Sequence, residues 1–224
     1  MSNMYGYNDY DGPHRAMARF SLEADDEDNP LQAGFWMEGD SLAPPCGTAV
    51  PTIHRMLDFA QVSSKDVVYD LGCGDARVCL EAFARKKCQS VGVEVEADLV
   101  SRGRELIARL NYVDQERLPF IIEQDLRIVL RNLVRLAAKA TAPTEQSDDI
   151  GALPLPTIII MYLLPEALAE LEDSLRELLR LLPESFRILC NTWGLNSLVP
   201  QQRMDVKEEG GAVTPLSIYT RKSL

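Results

Sequence analysis

The stretch VYDLGCGDARVCLEAFA, residues 68–84, begins as a strand, turns through two glycines one residue apart and leaves as a helix. Such a turn lets the backbone approach a ligand closely and aims helix N-terminal amides at it. Three classes of ligand use this geometry, so spacing has to separate them. A triphosphate loop needs GxxxxGK[ST], and no Lys-Ser or Lys-Thr stands at that distance. A dinucleotide fingerprint needs GxGxxG, and Arg77 occupies the place of the third glycine. Asp70, just ahead of the turn, argues the same way, because a carboxylate there repels a pyrophosphate. It is well placed to accept a hydrogen bond from an ammonium group.

On either side of this unit the chain alternates. Strand patterns over 66–71, 90–95, 118–123, 157–164 and 186–193 are interleaved with helical patterns over 76–87, 97–110, 126–140 and 165–182. The run TIIIMYLL (157–164) is continuously apolar, as a strand covered on both faces should be. Leu168, Leu171, Leu175, Leu178 and Leu182 keep helical spacing and read as core. Ahead of the alternation, Pro51 and the spacing Ile53, Met56, Leu57, Ala60 predict one more helix. Residues 204–220 read as two strands around a Gly-Gly turn. The expected fold class is α/β: a doubly wound, mostly parallel sheet with helices on both faces and a C-terminal antiparallel hairpin.

In such a sheet, ligands sit beyond the carboxyl ends of the strands. Glu94 ends the second strand twenty residues after Gly74, where a carboxylate receives both ribose hydroxyls. Asp125 follows the third strand, where it can take the exocyclic amine of an adenine or serve only as a helix N-cap. Acids at three successive strand ends suit a ligand with an ammonium, a free ribose and an adenine but no phosphate. S-adenosylmethionine is such a ligand.

These stretches carry a resemblance. VYDLGCGDAR, VGVEVEADLV, EQDL (123–126) and IIIMYLLPE (158–166) resemble the four motifs of the class I, seven-strand S-adenosylmethionine-dependent methyltransferases, over residues 50–193. AVPT (49–52) with the helix after it, together with MYLLPE, is similar to a narrower group. That group holds the small protein-lysine methyltransferases related to those of the ATP synthase c-subunit and the adenine nucleotide translocase. The resemblance implies a seven-stranded Rossmann-like domain and S-adenosyl-L-methionine as cofactor. By the same resemblance Asp70 and the backbone of Gly72, Cys73 and Gly74 face the methionine portion. Glu94 holds the ribose, Asp125 with Leu126 the adenine, and Thr52 lies near the methionine end, with Met161 also lining the cofactor. Where the family usually has glycine the chain has Ala76, whose methyl is expected to be tolerated because the helix has begun there.

Methyl transfer from a sulfonium is an in-line displacement, in which the protein mainly aligns the reacting atoms. A lysine nucleophile must first lose its proton. Tyr162 and Glu166 stand where groups handling that proton would be, or serve only packing and helix N-terminal charge. Trp193 either walls a channel or packs. No (D/N)PP(Y/F) stretch follows the fourth strand, which lowers the nucleobase reading. A protein side chain, lysine first, is the expected acceptor. A small molecule or RNA, or a scaffold without catalysis, are the alternatives.

Composition bounds the remainder. A chain of 224 residues, 46% hydrophobic and 25% charged, fits one globular domain. No apolar run approaches the ~18–20 residues of a membrane span, and the first twenty residues lack a secretory pattern. The five cysteines form no CxxC pair and there are two histidines, so no metal site has a recognisable spacing. Reduced thiols in the cytoplasm are expected. Of the net charge of −11, residues 1–45 carry −7, much of it in EADDED (23–28). Residues 1–33 read as an acidic, unstructured tail, and 34–224 as a single domain with an N-terminal cover over 34–62. The near-neutral body argues against a nucleic-acid partner. Arg127, Arg131, Arg135 and Lys139 are spaced four apart on one helix face. That stripe is either a solvated face or a contact for RNA or an acidic partner. Residues 141–156 read as an insertion or lid.

Overall fold

The β-branched and apolar runs of the sequence pair side by side into one seven-stranded sheet of order β3-β2-β1-β4-β5-β7-β6. In this computed structural model residues 47–110, 118–141, 153–208 and 211–224 are described. The acidic segment 1–33, the first part of the expected cover and most of loop 141–156 lie outside them. The strands are β1 (Val67–Leu71), β2 (Gln89–Glu94), β3 (Phe120–Glu123), β4 (Ile158–Met161), β5 (Arg187–Asn191), β6 (Gln202–Lys207) and β7 (Val213–Tyr219). The helices are α1 (Val50–Phe59), α2 (Arg77–Lys86), α3 (Ala97–Ala108), α4 (Leu126–Thr141) and α5 (Pro165–Leu181). β1 to β5 run parallel, and β7 is antiparallel to both β5 and β6.

The alternation of side chains along each strand splits the core in two. Tyr69, Leu71, Ile159, Met161, Ile188 and Cys190 face α4 and α5. Their neighbours Val68, Ile158, Ile160 and Leu189 face α1 and α2. α3 joins α2 on that second side through Val100, Leu106 and Ile107. α5 buries Leu168, Leu171, Leu175, Leu178 and Leu179 to 2% exposure or less. Each fully buried leucine stabilises the fold by about 1.5–3 kcal/mol relative to an exposed one. The opposite stripe of α4, from Arg127 to Lys139, is exposed. No helix among the described residues is long and apolar enough to cross a membrane.

Several boundaries fall short of the sequence patterns for local reasons. β4 stops at Met161, because Leu163 turns into the core and Pro165 opens α5. β5 stops at Asn191, because Thr192 takes a left-handed φ of 65°. The closing hairpin is antiparallel as expected, but its second strand lies inside its first: β7 sits against β5, and β6 forms the edge. The sheet reverses its winding between β1 and β4, and the crevice of such a fold opens there, at the carboxyl ends.

Candidate active site

The glycine turn is stapled to the end of β2. Gly72 and Gly74 have φ of 78° and 54°, a region that glycine enters without steric cost. The amides of Gly72 and Cys73 both donate to the Val93 carbonyl, at 2.9 and 3.0 Å. The Gly74 amide donates to Glu94 Oε2 at 2.9 Å. Glu94 Oε1 accepts from the amides of Val95 (2.7 Å) and Glu96 (3.0 Å). A carboxylate offers about four acceptor positions, so three backbone donors leave room for a ligand hydroxyl. Glu94 is thereby fixed in one orientation at the crevice.

Asp70 lies in the next strand, 5% exposed. Burial, with Glu94 and Asp75 adding negative charge, pushes its carboxyl up to about 8. That environment favours the protonated carboxyl in the folded protein, and an ammonium placed beside it would favour the carboxylate. Asp75 is answered by Arg77: the guanidinium donates through Nε (3.0 Å) and Nη2 (2.8 Å), and both residues are buried. Arg77 Nη1 reaches the Thr48 carbonyl at 3.5 Å. Cys73 turns its thiol toward Gly92, where a Cβ would come within 2.5 Å of the sulfur. Burial pushes this thiol up. What Cys73 can offer a ligand is its backbone.

Ala76 departs from the expectation. It is not inside the helix but at its N-cap, fully buried, with φ of 66°. For a residue with a Cβ the left-handed conformation costs about 1–2 kcal/mol, while the buried methyl contributes about 0.8 kcal/mol. Ala76→Gly is therefore expected to stabilise the protein by about 0.5–1 kcal/mol, raising Tm by roughly 1–3 °C. A thermal melt that moves down instead would show that the methyl's packing outweighs the strain.

Asp125 caps α4. Its carbonyl accepts from the Ile128 and Val129 amides, and Oδ1 accepts from the Arg127 amide at 2.7 Å. The Arg127 guanidinium grips both carboxylate oxygens, at 2.6–3.0 Å, and also reaches Glu170 at 3.4 Å. That grip holds the Asp125 carboxyl below the usual carboxylate range. Asp125 thus caps the helix, and an adenine amine would have to share this carboxylate with Arg127. Leu126 and Met161 both send their side chains into the α4–α5 core.

Across the sheet the chain brings together residues far apart in sequence. Tyr162, after β4, stacks on Trp193, after β5, with ring centroids 5.8 Å apart and planes at 19°. Glu166 is exposed in the first turn of α5, where it complements the helix N-terminus. Thr52, 2% exposed in the first turn of α1, donates to Glu208 Oε1 at 3.5 Å. Sequence reasoning singled out neither Glu208 nor the Asp75–Arg77 pair. It also missed Glu172, which accepts from the amides of Asn196 and Ser197 and so ties down the loop after Trp193. Asp-Ala-Arg beside the glycine turn was a local signal for the buried pair. Glu208 had none.

No family model matches the chain. Among solved structures, an RNA methyltransferase from Salinibacter ruber, in complex with S-adenosyl-L-homocysteine, superposes with a TM-score of 0.57 at 24% identity. The match covers 78% of this chain and 92% of that one. A precorrin-6y C5,15-methyltransferase from Geobacter metallireducens GS-15 gives a TM-score of 0.49 at 13% identity, over 86% and 99% of the two chains. With the observed strand order and glycine turn, the fold is that of the class I, seven-strand methyltransferases. In sequence, the chain is 41% identical over 70 residues to a protein-lysine N-methyltransferase of Saccharolobus islandicus (strain REY15A). That similarity spans 30% of this chain and 40% of the relative.

Proposed function

We propose that this chain is an S-adenosylmethionine-dependent methyltransferase whose acceptor is a protein side chain, lysine in the first instance. The observation that carries this reading is Glu94, locked by three amides beside the buried Asp70, with acceptor capacity left for a ribose. A phosphate-bearing ligand would meet two acids there, whereas a ligand carrying an ammonium and ribose hydroxyls meets complementary groups. The cofactor supplies an activated methyl group when bound. Asp70 would pair with its ammonium, the Gly72–Gly74 backbone would face the methionine portion, and Glu94 would accept from a ribose hydroxyl. Thr52 stands at the methionine end, with the backbone of Met161 alongside. Asp125 and Leu126 border the adenine. The Tyr162–Trp193 stack offers an apolar wall for an alkyl stem and a π face for a cation. Tyr162 is placed to orient the acceptor amine, with Glu166 at the rim. The name of the partial relative from Saccharolobus islandicus supports lysine as the acceptor. The buried, unpaired Cys73, Cys79, Cys88 and Cys190 suit a reducing compartment such as the cytoplasm.

A second reading, RNA as acceptor, is favoured by the exposed α4 stripe of Arg127, Arg131, Arg135 and Lys139. It is weakened because Arg127 is spent on Asp125 and Glu170. The test has two stages. Calorimetric titration is expected to show S-adenosylhomocysteine binding in the micromolar range, about −8 kcal/mol. Tritiated methyl groups from the cofactor should then enter lysate material that protease destroys and ribonuclease does not. Ribonuclease-sensitive label would establish the RNA reading, and no binding of either cofactor form would sink both.

A further inference from the structure

The pairing of β5 with β7 runs from Ile188↔Tyr219 to Asn191↔Leu216. This places the start of β7, and the turn that links it to β6, at the carboxyl edge of the sheet, on the same edge as the glycine turn. Residues 48–52 cross that edge. Thr48 is held twice: its carbonyl accepts from Arg77 at 3.5 Å, and its Oγ1 accepts from Asn191, buried at the end of β5, at 3.4 Å. At the far end Thr52 donates to Glu208. The strand order β1-β4-β5-β7 sets the glycine turn at one end of the site and Glu208 at the other. Tyr162 and Trp193, which follow β4 and β5, come between them in that order.

Glu208 is half-buried, and its two side-chain hydrogen bonds have a common pattern. Thr214 Oγ1 (2.5 Å) and Thr52 Oγ1 (3.5 Å) both donate to Oε1, and neither reaches Oε2. Among the described residues no lysine, arginine or histidine is paired with this carboxylate. Two neutral hydroxyls orient a charged group without neutralising it, which leaves the second oxygen without a cationic partner among the described residues. We infer that Glu208 is the residue that binds the acceptor's ammonium group, so that the site selects a cationic primary amine. The inference rests on the methyltransferase reading above and places the acceptor's charge beside Thr52, at the Glu208 side of the carboxyl edge. Thr52, which touches Glu208 from α1, is a positioning residue linking the two ends.

Sinefungin tests this without knowledge of the natural acceptor. In that analogue a carbon bearing an ammonium replaces the methylsulfonium of the cofactor, so its extra charge points to where the acceptor binds. S-adenosylhomocysteine lacks that charge and serves as the internal control. Wild type is expected to bind sinefungin about tenfold more tightly than S-adenosylhomocysteine, the increment of one charge-assisted contact. Glu208→Gln keeps an oxygen for both threonines, and it should bring the two affinities to within about twofold while leaving S-adenosylhomocysteine affected less than twofold. A purely structural tie would weaken both ligands alike. An unchanged sinefungin preference in Glu208→Gln overturns the assignment, whereas failure of wild type to bind S-adenosylhomocysteine overturns the reading beneath it. If the Gln chain does not melt cooperatively, Glu208→Asp is measured instead. It retains the charge but withdraws it by one methylene, and it should cut the preference about threefold. An Asp variant with the full preference overturns the assignment equally.

Discussion

Glu94→Ala is expected to bind S-adenosylhomocysteine about 100-fold more weakly than wild type in calorimetric titration. Hydrogen bonds to a charged acceptor contribute about 1.5–3 kcal/mol each, and a ribose hydroxyl is proposed to take the acceptor position that the three amides leave on this carboxylate. The same change removes the partner of the Gly74, Val95 and Glu96 amides. Water entering the vacated space satisfies part of that loss, so destabilisation should settle near 2–3 kcal/mol, a fall of roughly 5–10 °C in Tm. The two losses have different origins. The melt reports the staple between the glycine turn and β2, and the titration reports the ribose. A variant that melts lower yet binds within about threefold of wild type would leave Glu94 as a structural clamp and no more.

Asp70→Asn should abolish a pH dependence. The Asp70 carboxyl is raised from 3.8 to about 8 in the folded protein, by burial first and then by Glu94 and Asp75. Between those two values the folded state holds a proton that the unfolded state has released. Stability from this group is therefore full below the lower value and is lost as pH rises through the upper one. Between about pH 4 and pH 8 this group should make ligand-free wild type lose denaturation free energy, and Asp70→Asn should flatten that slope. Cofactor binding reverses the sign of the local field. An ammonium beside Asp70 favours the carboxylate, so binding at pH 7 should release about one proton, seen by titrating in buffers of different ionisation enthalpy. The Asn variant should release none and bind at least about tenfold more weakly. Equal proton release by both proteins would mean that the ligand's ammonium does not meet Asp70.

The parts of the fold that were legible in the sequence are those written in local periodicity. Ile158 to Met161 announced a buried strand, the leucines of α5 announced a core face, and the glycines at 72 and 74 announced a tight turn. Asp70, Glu94 and Asp125 could be placed near strand ends because the strands could themselves be seen. The conformation of Ala76 was not visible, because a left-handed residue leaves no trace when it is not glycine. The grip of Arg127 on Asp125 was two residues away, yet the sequence could not separate a capped helix from an open ligand group. Glu208 meets Thr52 across 156 positions, a contact that only the complete sheet creates. The order of the hairpin strands was hidden for the same reason: alternation tells which residues face the core, not which strand is the neighbour.

That order affects how the protein is made. β6 is synthesised before β7, yet its sole neighbour in the sheet is β7. Until β7 slides in beside β5, residues 188–191 remain an unpaired edge open to other chains, and β6 has nothing to hold. The carboxyl edge of the sheet is consequently built in two instalments. The part formed by β1 and β2 needs only the first hundred or so residues of the chain. The part that carries Glu208 waits for residues 213–219 to be threaded into place, so a ribosome-bound chain that already has its glycine turn still lacks the other end of that edge.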